Sequence, residues 1–248
     1  AIALAAAFGR AQDLVYIETP ALDGLPHGPD DDPLNLWTTL LNQMSSRKGL
    51  HVLVCVPTLL APGTPRMLQA VRDAALHDAL ESVRQQMGDR FAFFSPGTGA
   101  GRALRLATTS VIVDDALAIT GTTHLWRRGL TFDSSLAAAV FDERVVEGRP
   151  QEVRAFRIQL VADRLGIPAS RVPADAGELV RAVRLFDDRG SVRLSATPIT
   201  PPATAPTTDD QATWNPDGSR SDVNAATLVA KLLAAIALTD TDHAIVEG

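Results

Sequence analysis

The sequence predicts an α/β fold in layers: a mixed, mostly parallel sheet flanked by helices, with a C-terminal extension. Three observations predict it. Short apolar runs alternate with longer segments of helical periodicity, the order of a layered α/β domain. The run "LHVLVCVP" (50–57) is apolar without alternation, as a strand covered on both faces must be. From Thr64-Pro65 to about Met87, residues Met67, Val71, Ala74, Leu80 and Val83 recur at helical spacing, the inner side of a long surface helix.

The elements follow in order. Residues 2–12 suggest a helix that stops near Gly9–Asp13, and "LVYIETP" (14–20) is a strand closed by Pro20. After a Gly/Pro/Asp-rich loop, Asp32-Pro33 makes a good N-cap and first-turn pair. Leu34, Trp37, Leu40, Leu41 and Met44 then recur at helical spacing. "RFAFFSP" (90–96) is a strand, and past a Gly-rich loop two strands are expected at about 104–113 and 116–121, with another at 136–142. "QEVRAFRIQLVADRLG" (151–166) is a helix ended by Gly166. "GELVRAVRLFDD" and "SVRLSATPI" read as one more helix and strand. Residues 200–222 form a Pro/Thr/Asp-rich connector expected to lack a core of its own, and an apolar helix at about 223–238 must pack on something.

Composition narrows the function classes. A net charge of −6 argues against a broad nucleic-acid surface. The one cysteine, Cys55, lies in an apolar run, so no disulfide framework and no cysteine-based zinc site are expected. Only Lys48 and Lys231 are lysines against 21 arginines, the bias of a GC-rich genome, and lysine-dependent chemistry has just those two candidates. No apolar stretch reaches the roughly 18–20 residues of a membrane span. The expected location is soluble, cytoplasmic or secreted. The sequence opens as if inside a helix, which suggests a fragment or processed product.

Candidate chemistry is sparse. "GTGAGR" (97–102) is not followed by a helical segment, so no helix N-terminus awaits a phosphate there. Asp30, Asp31 and Asp32 read as a solvated loop and cap, and no metal or cofactor is expected. His27, His51, His77 and His243 are scattered. Asp114-Asp115 sits between two apolar strands, where aspartate suits a tight turn. His124, Arg127 and Arg128 follow a strand ending at Gly121, a place where α/β sites form, and paired arginines can clamp a phosphate. These three are the anion-binding candidates, against the alternative of a salt-bridged surface loop.

The stretch "SVIVDDALAITGTTHLWRRGLTFDSSLAAAVFDE" (110–143) resembles the phospholipase D superfamily, whose members carry H-x-K-x(4)-D, then G-S-x-N, an arginine turn and a D-[ST]-E strand. "VYIETP" and "LHVLVCVP" are similar to the family's earlier strands, and the helix at 157–166 to a later one, so the resemblance covers roughly residues 1–168. It implies a phosphodiesterase lobe. On that alignment the motif aspartate falls on Asp114, and Gly121, Arg127, Arg128, Asp133 and Ser134 keep family-like identities. The nucleophilic histidine falls on Ala107, the lysine on Thr109, the asparagine on His124 and the glutamate on Ser135. An alanine methyl can neither attack phosphorus nor protonate a leaving group, and Thr109 carries no charge for phosphoryl oxygens.

The expectation is therefore a lobe at 1–168, a helix-strand extension at 169–199, the connector at 200–222 and a helix and tail at 223–248. The expected function is that of a catalytically degenerate phospholipase D-like domain with a structural, docking or ligand-binding role. The alternative is one lobe of an active phosphodiesterase or phosphatidyltransferase whose competent motif lies elsewhere. The family usually pairs two lobes, so the expected partner is a second such lobe, from an upstream segment or another copy, or a larger assembly.

Overall fold

A computed structural model describes residues 1–25, 35–60, 64–96, 104–188, 194–195 and 204–215. The Asp30–Asp32 cluster, Pro33, His27, the "GTGAGR" segment, His243 and the expected helix at 223–238 lie outside the described residues. The elements are α1 (Ile2–Phe8), β1 (Leu14–Glu18), α2 (Leu36–Ser46), β2 (His51–Cys55), α3 (Arg66–Met87), β3 (Phe91–Pro96), β4 (Thr109–Val113), β5 (Leu117–Gly121) and α4 (Arg127–Thr131). They continue with β6 (Ala137–Phe141), β7 (Val145–Val146), β8 (Arg149–Pro150), α5 (Glu152–Leu165), α6 (Ala176–Asp188), β9 (Leu194–Ser195) and α7 (Thr208–Trp214).

One sheet runs β6-β5-β4-β1-β2-β3-β9, and β7 and β8 form a separate small hairpin. The mixed sheet expected from the sequence is present. β1, β2, β3 and β5 point one way and β4, β6 and β9 the other, while only the β1–β2 and β2–β3 ladders are parallel. Both faces are covered at the centre of the sheet. Val15, Ile17, Val52, Val54 and Val111 pack against α1, α2 and α3 in one core, and Tyr16, Leu53, Cys55, Phe94 and Ile112 pack against α5 and α6 in the other. This is why β1 and β2 read as unbroken apolar runs.

Several local expectations are corrected. The N-cap of α2 is Asn35, whose Oδ1 accepts from the Thr38 N–H at 2.8 Å, and the helix starts at Leu36. Asn offers the same carbonyl oxygen as Asp, so the cap moved three residues along without changing its chemistry. The strand expected from 104 begins only at Thr109. Met67 is exposed; the buried side of α3 includes Val71, Leu76, Ala79, Leu80 and Val83. The connector also holds a helix: α7 has a capping box of Thr207 and Asp210 and packs on α3.

Charged side chains lock the strands. Asp114 and Asp115 take positive φ values of 52° and 56°, the left-handed pair of a tight hairpin turn between β4 and β5. The Asp114 carboxylate accepts from the backbone N–H groups of Gln12, Asp13 and Leu14, at 2.8–3.1 Å, tying that turn to the start of β1. Asp115 receives a two-pronged contact from fully buried Arg157, at 2.6 and 2.8 Å, which holds α5 to the same turn. At the other end of β1, Glu18 is 1% exposed and is gripped by Arg164 at 2.6 and 2.9 Å and by the Tyr16 hydroxyl at 2.9 Å. Burial pushes both the Tyr16 hydroxyl and the Cys55 thiol well up from their ordinary values, so neither ionises near neutral pH. Buried Arg72 on α3 donates to the carbonyls of Pro20 and Pro57, pinning the segments that leave β1 and β2.

Candidate functional site

The carboxyl ends of β1 and β5 and the start of the antiparallel β4 meet on one edge of the sheet, where Glu18 opposes Ser110 and Gly121 opposes Thr109. Clefts at the carboxyl ends of parallel strands are the usual site position in α/β folds. Gly121 is required there: a Cβ would lie 2.1 Å from the Leu136 carbonyl oxygen, so any side chain would push β6 off β5. The segment after β5 turns into α4, and a Cβ on Gly129 would lie 2.5 Å from the His124 carbonyl oxygen. Glycine lets α4 fold back tightly enough to hold His124 over the strand ends.

Thr19, Thr109 and His124 form a hydrogen-bonded chain. Thr19 Oγ1 lies 2.9 Å from the Ala21 carbonyl, 3.0 Å from Thr109 Oγ1 and 3.4 Å from the Leu125 N–H; Thr109 Oγ1 lies 3.1 Å from His124 Nδ1. A carbonyl only accepts, so the single Thr19 proton goes to Ala21, and Thr109 must donate to Thr19. Thr109 then accepts from the Nδ1–H of His124, which leaves Nε2 as the bare nitrogen of the neutral ring. Burial lowers the His124 pKa from 6.5, against the opposing effect of the Asp133 carboxylate. The neutral ring therefore prevails at pH 7.

The arginines are engaged elsewhere. Arg128 Nε and Nη2 bind Asp133 at 2.6–3.0 Å, its Nη1 donates to the Trp214 carbonyl at 3.0 Å, and its guanidinium lies 5.5 Å from the Trp126 ring centre. The Arg127 N–H donates to Asp23 at 2.8 Å, and its Nε to the Asn215 carbonyl at 3.2 Å. Asn215 is fully buried; its Nδ2 donates to Asp23 at 2.7 Å and its Oδ1 accepts from the Arg128 N–H at 2.8 Å. Burial raises the Asp23 pKa, although its hydrogen bonds favour the carboxylate. A cavity of about 520 Å³ adjoins this clasp, lined among others by Asp23, Leu25, Trp37, Asp78, Arg127 and Gln211.

The structure thus brings together Thr109 and His124. Ser135 joins only through Thr123, at 2.9 Å between hydroxyls, and is exposed. Ala107 is exposed just before β4. Asp114 lies at the opposite end of β4, about 16 Å away along five residues of extended chain. Lys48 sits in the turn leading to β2, also at the far end of the sheet. Sequence reasoning missed Thr19, Asp23, Trp214 and Asn215. Thr19 directly follows the Glu18 that ends β1, a signal that was readable. Asn215 meets Asp23 across 192 positions, and no local pattern announces such a contact.

No protein-family model matches the sequence, and no curated protein does. Among solved structures, the chain is similar to a phospholipase D family member, Nuc from Salmonella typhimurium, with 13% identity, a TM-score of 0.41, and coverage of 66% of this chain and 86% of that one. It is similar to NucT from Helicobacter pylori, with 12% identity, a TM-score of 0.37, and coverage of 57% and 76%. It is also similar to phosphatidylserine synthase from Haemophilus influenzae Rd KW20, with 13% identity, a TM-score of 0.43, and coverage of 76% of this chain but 42% of that one. No helix among the described residues is long and apolar enough to cross a membrane.

Proposed function

We propose that the chain is a phospholipase D-like lobe whose catalytic centre has been dismantled, and that it works as a structural or docking module within a larger chain or assembly. The observation that carries this reading is the state of position 109. Where the motif spacing expects a lysine reaching phosphoryl oxygens, Thr109 is 4% exposed and its hydroxyl is spent between Thr19 and His124. Ala107, at the place of the nucleophile, offers a methyl group. Arg128, a cation of the neighbouring loop that could replace the lysine, is bound to Asp133 and to the Trp214 carbonyl. An anion there would have to displace those contacts first. The test is turnover of phosphatidylcholine, model phosphodiesters and single-stranded DNA by the full chain. No turnover is expected; turnover abolished by His124→Ala would overturn the proposal.

One observation favours a second reading. His124 presents an unprotonated Nε2 with its Nδ1 oriented by a hydroxyl, the posture of a general base. In that reading this lobe shapes the cleft of an active phosphodiesterase or phosphatidyltransferase, whose H-x-K-x(4)-D motif comes from another lobe or chain. An intact motif upstream in the native reading frame, together with activity lost on His124→Ala in the complete protein, would establish it.

A further inference from the structure

A cluster of arginines gathers where β2 begins, at the end of the sheet away from His124. The apolar stripe of α6, with Leu179, Val180 and Val183, packs against Leu53, Cys55 and Phe94. Beside that stripe, Gly177, Arg181 and Arg184 follow at spacings of four and three residues, so they share a face of the helix. That face borders a cavity of about 370 Å³, whose other walls include His51, Asp89, Arg90 and Leu185. Gly177 lets α6 come close, since a Cβ there would lie 3.1 Å from His51 Nε2.

The charges around this cavity do not balance. Arg90 Nη1 donates to the carbonyls of Met44, Arg47 and Leu50 at 2.8–3.3 Å, so its position is fixed, and among the described residues no carboxylate neutralises it. Arg181 is exposed and has no hydrogen bond or ion pair among the described residues. Arg184 donates to the Gly88 carbonyl at 3.0 Å and pairs with Asp89 at 2.6 Å. The Asp89 side chain is 96% exposed, so that pair is weak and readily exchanged. His51 Nδ1 is buried with no partner among the described residues. Asp13 and Asp175 act on the same neighbourhood, yet neither lines the cavity, and Asp175 already accepts from the Glu178 N–H at 2.8 Å. Three guanidinium groups thus face one exposed carboxylate, in a chain whose net charge is −6.

We propose that this cavity binds the phosphate group of a small soluble molecule. Guanidinium forks match phosphate oxygens, and a phosphate monoester brings close to two negative charges where a carboxylate brings one. Arg181 and Arg184, one turn apart, repel each other until an anion joins them. Arg90 is held by backbone carbonyls in advance, so binding need not order its side chain. Leu185 is the one large aliphatic side chain among the described lining residues, which leaves little surface for an acyl chain. The site stands at the opposite end of the strands from Thr109 and His124, and the proposal holds whether or not those residues keep any chemistry.

Inorganic phosphate titrated into the full chain at constant pH and ionic strength, followed by the imidazole NMR signals, tests this. The His51 signal, assigned with His51→Gln, is expected to shift saturably while that of His124 is unmoved. Arg181→Gln is expected to weaken binding at least about tenfold, and Asp89→Asn, which frees Arg184, to strengthen it about two- to fivefold, with circular dichroism showing the fold intact. Arg184→Gln repeats the loss should Arg181→Gln fail to express. Arg144→Gln, at an exposed pair with Glu152, is expected to change nothing. No saturable shift at His51 up to about 10 mM phosphate would overturn the proposal, as would a shift at His124 in its place. Equal weakening by Arg144→Gln would also overturn it, because the effect would then be general charge screening. So would binding to vesicles containing phosphatidic acid without binding to phosphate itself.

Discussion

Replacing Arg164 with alanine isolates the ion pair that locks the carboxyl end of β1. Arg164 delivers two N–H groups to Glu18 at 2.6 and 2.9 Å, and that contact raises the arginine pKa further. Glu18 is 1% exposed, so truncating Arg164 leaves a carboxylate in the interior with only the Tyr16 hydroxyl as its partner. Removing one member of a buried pair costs about 3–5 kcal/mol. The Arg164 side chain is 23% exposed, so water reaches the vacated position, and the lower end, about 3 kcal/mol, is expected. For a domain of this size that is roughly 6–12 °C in Tm. Urea unfolding followed by circular dichroism, with calorimetry, measures both. Adding Glu18→Gln to Arg164→Ala removes the stranded charge and should recover about half of the loss, since a neutral amide costs far less to bury. A loss below about 1 kcal/mol, or a double variant no more stable than Arg164→Ala, would refute the reasoning.

Two further predictions concern the ends of β4. Asp114→Ala removes the acceptor of three backbone N–H groups and places alanine at a φ of 52°, so a loss of about 2–3 kcal/mol is expected in urea unfolding; Asp114→Asn, which tolerates that φ and keeps one acceptor, should lose about half as much. His124 should titrate below 6.5 by NMR. Because its folded pKa lies below the unfolded one, its contribution to stability is complete above pH 6.5 and is lost as pH falls towards the folded value. His124→Gln should abolish that part of the pH dependence, and a titration midpoint at or above 6.5 would contradict the dominance of burial over the Asp133 charge.

The fold was legible because burial on both faces leaves a strong mark on composition. "VLVC" and "VIV" are apolar at every position, since α helices lie on each side of β1, β2 and β4. Gly166 announced the end of α5 and takes the left-handed conformation there. The Asp114-Asp115 turn was equally readable, as few other residues accept two consecutive positive φ values. Boundaries were less so: the cap of α2 fell on Asn35, because caps depend on one hydrogen bond that several nearby residues could have made. The site was legible only as a set of positions. Counting along the motif spacing reached Thr109 and His124, but the hydroxyl that joins their chain, Thr19, comes from just past the end of β1, 90 positions away from Thr109. A connector rich in proline and threonine gave no hint that its residues Trp214 and Asn215 would hold Arg127 and Arg128 in place.

The hydroxyl chain under His124 also sets which positions of this segment can take a larger side chain. Position 107 is exposed and precedes β4, so a larger side chain there can extend into solvent. Position 109 is closed. A lysine would have to place its stem where Thr109 is 4% exposed, leaving the Thr19 hydroxyl and His124 Nδ1 without their shared partner. The two positions stand two residues apart in the sequence, yet one is a door left ajar and the other is bricked up from inside. Introducing a lysine at position 109 therefore calls for compensating changes at Thr19 and His124, which share the hydroxyl it would remove.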